Sequence, residues 1–265
     1  MWEAELRLAL RHDGARTVLA QRAHRGPLVV QRPFYPEGDI CHLYLVHPPG
    51  GIVSGDHLTL DLSARDGAHA LVTTPAATKF YRAREGAAAH LVQRLDVAGA
   101  TLEWLPQETL VFDGAQARCA THVVLGDDAR FIGWEVLCLG RPASAEPFAS
   151  GAVHQDFQLW RGNEPLLLDR LRLAPDAALG ESWGFAGHAA LGTLMAWPAA
   201  VADLDALKET AAADLLACTL VDGVLLVRTL AAQGEEVRTR LHGAWRLLRP
   251  RLLGRDVSAP RIWAT

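Results

Sequence analysis

A repeated alternation of apolar and polar residues constrains the fold of this chain most strongly. Every second residue from Trp2 to Leu10 is apolar, and residues 57–63 repeat the pattern. A period of two is typical of β-strands that have one face in the core and the other in solvent. The same reasoning predicts further strands at 17–23, 28–31, 42–46, 68–74, 90–97, 101–105, 117–125, 130–139, 153–161 and 165–173.

Turn signals rather than helices separate these strands. Asp13-Gly14, Asp66-Gly67 and Asp113-Gly114 are examples, and each is a dipeptide that favours a tight turn. Strands without intervening helices argue against βαβ units. No fixed-period repeat is present, so the sequence does not predict a solenoid. We therefore predict a mainly β fold, with many short strands in stacked or sandwiched sheets.

The pattern changes after about residue 176. Apolar residues recur at helical spacing over 203–218 and 234–248, and 224–230 has the composition of a strand. Pro250 is expected to end the second helix. We predict a single domain over 1–265, in which a β-rich portion (1–175) is packed against an α+β portion (176–265) that contains two helices.

Composition narrows the classes of function. The chain has 265 residues, a net charge of −4 and 4 cysteines at wide spacings without a C-x-x-C pair. The charge argues against a nucleic-acid binder, and the cysteine spacing argues against a zinc knuckle or a disulfide framework. There is no signal-peptide pattern and no apolar run of the roughly 20 residues that span a bilayer. We expect a soluble cytoplasmic protein that contacts neither nucleic acid nor membrane.

Motifs of common enzyme classes are missing. The two lysines, Lys79 and Lys208, do not follow glycine, so the chain has no nucleotide-binding P-loop. It also has no G-x-S-x-G elbow and no H-E-x-x-H zinc motif. We expect that the chain is not an enzyme.

Three groups of residues remain as candidates for chemistry. The first is Cys41, His47 and His57, which flank a glycine-rich turn and could bind nickel, copper or zinc. In the alternative interpretation, this is a tight turn between strands with its histidines in solvent.

The second group consists of scattered carboxylates. Glu103 and Glu135 each stand between apolar neighbours, where a carboxylate is costly unless it is paired or binds a ligand. These acids either line a water-filled interior path or lie on the solvent faces of strands. The group comprises Asp56, Asp61, Glu103, Glu108, Asp113, Glu135 and Glu146.

The third group is the threonine-rich segment 73–82, which contains Lys79 and Arg82. It is either a polar contact site for a partner or an anion, or an ordinary turn with a solvated lysine.

Several ordered segments resemble the UreD (UreH) family of urease accessory proteins. They include the His47-Pro48-Pro49-Gly50-Gly51 turn and the closing Pro260-Arg261-Ile262-Trp263. The resemblance is dense from about 26 to 172 and thinner beyond. The segments that carry it are 26–37, 41–56, 78–82, 102–108, 138–142, 164–167 and 260–263.

The resemblance implies a mostly β, non-enzymatic scaffold. Members of this family form a complex with UreF and the GTPase UreG, and this complex binds apo-urease and inserts nickel into it. The resemblance implies direct contact with UreF and apo-urease, and contact with UreG through the complex. It also implies an interior path that binds Ni²⁺ only transiently, with no tightly bound cofactor.

Position in the matching segments makes Asp56 the main candidate for this path. In the alternative interpretation, the Asp56 side chain caps the turn by hydrogen bonding to nearby backbone amides. Glu103, Glu135 and Glu146 are further candidate ligands, and Thr73 and Thr74 are candidate hydroxyls at narrow points. Two other functions stay open. One is a metal-dependent enzyme that uses Cys41, His47 and His57, and the other is a protein-interaction module that carries no metal.

Overall fold

The computed structural model describes residues 1–84, 87–174, 179–211 and 216–264. These residues contain seventeen strands and two α-helices, which confirms the mainly β fold with helices confined to the C-terminal part. The proposed boundary at 175/176 lies outside the described residues. The strands are β1 (Glu3–His12), β2 (Thr17–Arg25), β3 (Val29–Val30), β4 (Cys41–Val46), β5 (His57–Arg65), β6 (His69–Thr73), β7 (Thr78–Phe80), β8 (Ala89–Val97), β9 (Thr101–Trp104), β10 (Thr109–Val111), β11 (Gln116–Leu125), β12 (Arg130–Leu139), β13 (Ala152–Arg161), β14 (Glu164–Leu173), β15 (Ala190–Trp197), β16 (Ala217–Val221) and β17 (Val224–Ala231). The helices are α1 (Val201–Ala211) and α2 (Gly234–Leu253).

The strands form two stacked sheets. A seven-stranded sheet has the order β14-β13-β11-β8-β5-β1-β2. A ten-stranded sheet has the order β16-β17-β15-β12-β9-β6-β4-β3, with β10 paired to β12 and β7 paired to β10. The predicted sandwich of short strands is therefore confirmed.

The chain alternates between the two sheets from β5 to β13, which the sequence analysis did not predict. Strands β5, β8, β11 and β13 lie side by side in the seven-stranded sheet, and β6, β9 and β12 in the ten-stranded sheet. Neighbours in both groups are parallel. Parallel strands need a crossover connection, and here the strands of the opposite sheet take the place that a helix has in βαβ units.

Two apolar layers hold the molecule together. The inward faces of both sheets form the first layer, in which Trp104, Phe131 and Phe157 are buried. The second lies between the outer face of the ten-stranded sheet and α2, around Trp134 and Trp245. Strands β12 and β15, against which α2 packs, are thus covered on both faces.

The first helix is shorter than predicted. Helix α1 is described over Val201–Ala211, residues 212–215 lie outside the described residues, and Cys218 belongs to strand β16 instead of a helix. The cause is the two-residue turn that follows, because Asp222 (φ 48°) and Gly223 (φ 81°) both have left-handed backbone angles. That combination is typical of a type I′ hairpin turn, which here joins β16 to β17.

The second helix is longer than predicted. Helix α2 continues through Pro250 to Leu253 and ends at Gly254, whose φ is 64° and whose N–H donates to the Pro250 carbonyl. Pro250 lies in the last turn, where its missing N–H removes one helical hydrogen bond, and burial of Leu252 favours the extra turn. In the described part of the chain, neither helix is long and apolar enough to cross a bilayer.

Candidate functional site

A cavity of about 190 Å³ lies between the two sheets. Most of its wall is apolar and comes from inward residues such as Leu58, Leu91 and Trp104. A few polar side chains interrupt this wall. They are His47, Thr74, Thr78, Lys79, Gln93, Gln107, Thr109, Cys119, Glu135 and Gln155. It is the larger of the two cavities that Glu135 lines, and we call it the larger cavity.

Glu135 is the carboxylate of the larger cavity. In β12, Trp134 and Val136 face α2. Because successive side chains of a strand point to opposite faces, Glu135 between them faces the seven-stranded sheet. Thr121 Oγ1 donates to Glu135 Oε1 at 2.7 Å, and Gln155 Nε2 donates to Glu135 Oε2. No cation among the described residues forms an ion pair with this carboxylate.

The environment of Glu135 favours its protonated form. Burial raises the pKa of Glu135 to about 7, against the opposing effect of the hydrogen bonds from Thr121 and Gln155. The nearby charges of Asp169 and Asp156 raise the pKa further. A divalent cation would supply the positive charge that the protein does not, and would therefore stabilise the ionised carboxylate.

A second, smaller cavity of about 20 Å³ adjoins the first at Glu135 and Gln155, which line both. Its wall also includes Asp169 and Thr193. Asp169 is 30% exposed and forms an ion pair with Arg228 at 2.7 Å. The two cavities thus share Glu135 and Gln155 as wall residues, the larger one also includes His47, and the smaller one includes a partly exposed carboxylate. We call the second space the smaller cavity.

His47 supplies a second potential ligand in the larger cavity. Its Nε2 atom is buried and has no hydrogen-bond partner among the described residues. Burial lowers the pKa of His47, although the charge of Asp56 opposes this effect. The imidazole is therefore neutral at neutral pH, and a neutral imidazole nitrogen is a good ligand for Ni²⁺.

The structure does not bring Cys41, His47 and His57 into one cluster. Among the described residues, no group of three or more His, Cys, Asp or Glu side chains could hold a metal ion. Burial raises the pKa of Cys41 to about 11, although the hydrogen bond with Tyr35 opposes this. His57 lies on the solvent face and stacks on His90, with 4.3 Å between ring centroids.

Asp56 is buried in the turn that precedes β5. Its Oδ1 accepts from the Trp2 amide at 2.7 Å, and its Oδ2 accepts from the Val53 amide at 3.0 Å. It lines neither of the two cavities. This geometry matches the capping alternative given for Asp56 above.

Glu103 lies on the opposite face of the ten-stranded sheet from Glu135. Arg249 Nε donates to both of its oxygens at 3.0 and 3.1 Å, and Trp245 Nε1 donates to Oε2 at 2.8 Å. His69 Nε2 lies 2.9 Å from Oε1. Burial acts to raise the pKa of Glu103, but the His69 hydrogen bond and the Arg249 charge outweigh it and lower the pKa below its ordinary value. Glu103 is thus part of a buried ion pair beneath α2.

The remaining candidates are divided between surface, core and cavity. Glu146 is exposed and pairs with Arg141. Thr73 is buried, donates to the Leu105 carbonyl at 2.6 Å and accepts from Trp263 Nε1 at 3.0 Å. Thr74 lines the larger cavity. Of the six candidates for the interior path, Glu135 and Thr74 therefore reach the cavities.

Comparison with known proteins decides the family. A family model described as UreD urease accessory protein matches residues 3–264. The chain belongs to the UreD family. It is 44% identical over 267 residues to the urease accessory protein UreD of Klebsiella aerogenes, an alignment that covers 100% of this chain and 97% of that protein. The urease accessory proteins UreD of Citrobacter koseri and Pseudomonas putida are each 43% identical, over 92% and 95% of their lengths.

In this UreD family member, sequence reasoning missed most of the polar residues that line the cavities or contact Glu135. Among them are Gln93, Thr121, Gln155 and Asp169. The signal for two of them was a polar residue at an inward position of a strand that is otherwise apolar there. Thr121 stands between Cys119 and Val123 in this way, and Gln155 between Val153 and Phe157.

Proposed function

We propose that this chain is a urease maturation factor that conducts Ni²⁺ through its interior to apo-urease. Membership of the UreD family supports the link to urease. The single observation that carries the conduit is Glu135, an inward carboxylate that lines two cavities and has no cation partner in the part of the chain that the structure describes. In this proposal Ni²⁺ is cargo and is bound transiently.

The ligands in the interior are sparse, as a conduit requires. An ion must bind well enough to enter and weakly enough to leave. The neutral His47 imidazole and the Glu135 carboxylate are separate potential ligands along the two cavities, and dense ligation by three or four such groups would trap the ion instead.

The proposed complex contains three other proteins. The chain contacts UreF and apo-urease directly, and reaches UreG through the complex. Because the sequence has no P-loop, GTP hydrolysis is assigned to UreG and this chain acts as a non-enzymatic scaffold.

The test is nickel delivery in a reconstituted activation with UreF, UreG and apo-urease. Glu135→Gln introduces a side chain that has the shape of protonated glutamate but cannot ionise and so cannot act as an anionic ligand. We expect several-fold less nickel per urease active site, with unchanged pull-down of UreF and urease.

Glu146→Gln is the matched control, because Glu146 is an exposed carboxylate outside both cavities. It should deliver nickel as the unmodified chain does. Full delivery by Glu135→Gln would contradict the conduit and favour a protein-interaction module without metal traffic.

A further inference from the structure

We propose that Gln155 is a positioning residue that holds the Glu135 carboxylate across the junction of the two cavities and keeps nickel binding there weak. The inference rests on the proposed function and extends it to a residue outside the candidate ligands. Gln155 acts through Glu135 by occupying one of its oxygens.

The carboxylate is held from the opposite sheet. Glu135 projects from β12 of the ten-stranded sheet, whereas Thr121 and Gln155 project from β11 and β13 of the seven-stranded sheet. In the β11–β13 register, Gln155 is opposite Cys119, two residues from Thr121. The two donors therefore belong to successive inward positions of adjacent strands, and each takes a different carboxylate oxygen.

The pair occupies the only part of the wall that the two cavities share. Glu135 and Gln155 line both cavities, and no other residue among those described does so. An ion that moves from the larger to the smaller cavity therefore passes between or beside these two side chains. Their hydrogen bond is a contact that the ion disturbs on its way.

Occupied lone pairs weaken a ligand. An ion that binds Glu135 Oε2 competes with the amide of Gln155 for the same oxygen, so part of the binding free energy is used to displace that hydrogen bond. Without the amide, the carboxylate has one oxygen free and binds Ni²⁺ more tightly. Gln155 thereby favours release, which a conduit needs as much as entry.

The test compares two glutamines that line the same cavity. Gln155→Met keeps the length and volume of the side chain but removes the amide. Gln93→Met is the matched control, because Gln93 lines the larger cavity from the same sheet and has no hydrogen bond to Glu135. Nickel titration of the full chain and the rate of nickel release to a chelator are measured for both variants.

We expect Gln155→Met to bind Ni²⁺ about fivefold more tightly and to release it correspondingly more slowly, a change that loss of one competing hydrogen bond can produce. Gln93→Met should match the unmodified chain. Unchanged or weaker nickel binding by Gln155→Met would overturn the inference.

A purely structural role for Gln155 would change the melting temperature and leave the release rate per bound ion unaltered. If Gln155→Met fails to fold, Gln155→Ala replaces it with the same expectation. Failure of the proposed function looks different, because the unmodified chain itself would then deliver no nickel to urease, whatever the ranking of the variants.

Discussion

Glu103 and Glu135 lie on opposite faces of the same ten-stranded sheet, and the charges that surround them differ. Glu103 faces α2 and is paired with Arg249. Glu135 faces the seven-stranded sheet and accepts hydrogen bonds from the neutral donors Thr121 and Gln155. The first carboxylate is matched by a fixed charge, whereas the second is not.

This difference separates a structural acid from one that is available to a ligand. A buried charge is costly unless another charge compensates it. The His69 hydrogen bond and the Arg249 charge outweigh burial and keep the pKa of Glu103 low, whereas burial without a cation partner among the described residues raises the pKa of Glu135 to about 7. Burial alone therefore does not identify a functional carboxylate, and the missing counter-charge does.

The largest effect is expected from Arg249→Met, which removes the matched charge. Arg249 also pairs with Glu37 at 2.8 Å, so the substitution leaves two carboxylates without their cation. Breaking a buried pair in this way costs about 3–5 kcal/mol, to be measured by urea unfolding. Arg141→Met is the control, because its pair with Glu146 is exposed and screened by solvent, so its removal should change the free energy of unfolding far less. Equal losses in both variants would end the distinction between a matched buried acid and a surface pair.

The second-largest effect is on the pH dependence of stability, which has opposite signs for Glu135 and Glu103. The folded protein retains the Glu135 proton up to a pKa of about 7. Between its ordinary value and 7 the folded state therefore binds more protons than the unfolded state, and stability falls as pH rises. Glu103 has a lowered pKa and contributes stability that is lost as pH falls through that value.

Glu135→Gln should remove the contribution of Glu135 to the pH dependence of stability. We expect the variant to be more stable than the unmodified chain by about 2 kcal/mol at pH 8, and to match it near pH 5. Urea unfolding at the two pH values measures this. A variant less stable at pH 8 would mean that the Glu135 carboxylate is compensated after all.

Asp56→Ala extends the comparison to a third acid, which is fully buried. Asp56 is held by two backbone amides, so its loss should cost about 1–3 kcal/mol. Because Asp56 lines neither cavity, nickel per urease active site should stay normal in the complexes that still form. Intact assembly with reduced nickel would place Asp56 on the interior path.

Thr74→Val should have the smallest effect. The Thr74 hydroxyl accepts one hydrogen bond, from the backbone N–H of Gln107 at 2.9 Å. Its replacement by a methyl group of similar size should cost about 1 kcal/mol and leave nickel delivery unaltered, as thermal unfolding and the urease assay can show. A strong loss of delivery would make this hydroxyl a contact of the ion.

Alternation along the chain was sufficient to predict most strands and the class of fold. It could not predict that β5, β8, β11 and β13 pair in parallel. The period of two shows on which face of its strand a residue lies, but not which strand is adjacent. The helix predicted over 203–218 was wrong only at its C-terminal end, where a hairpin turn at Asp222 and Gly223 outweighed the helical spacing and placed Cys218 in β16.

The site was harder to predict for a related reason. Sequence spacing shows that Glu103 and Glu135 both stand between apolar residues, but their partners are remote in the chain. Arg249 is 146 residues from Glu103, and Gln155 belongs to the other sheet. Only the packing of the sheets and of α2 determines which acid meets a cation.

The link between Arg249 and Glu37 also bears on how the chain folds during synthesis. The two residues are 212 positions apart, so at ribosomal speeds of 5–20 residues per second α2 emerges roughly 10–40 s after Glu37. Until then, the outer face of the ten-stranded sheet, with Trp134 among its residues, lacks its cover. A nascent or truncated chain without α2 would expose this surface and aggregate, which gives molecular chaperones a defined interval in which to act.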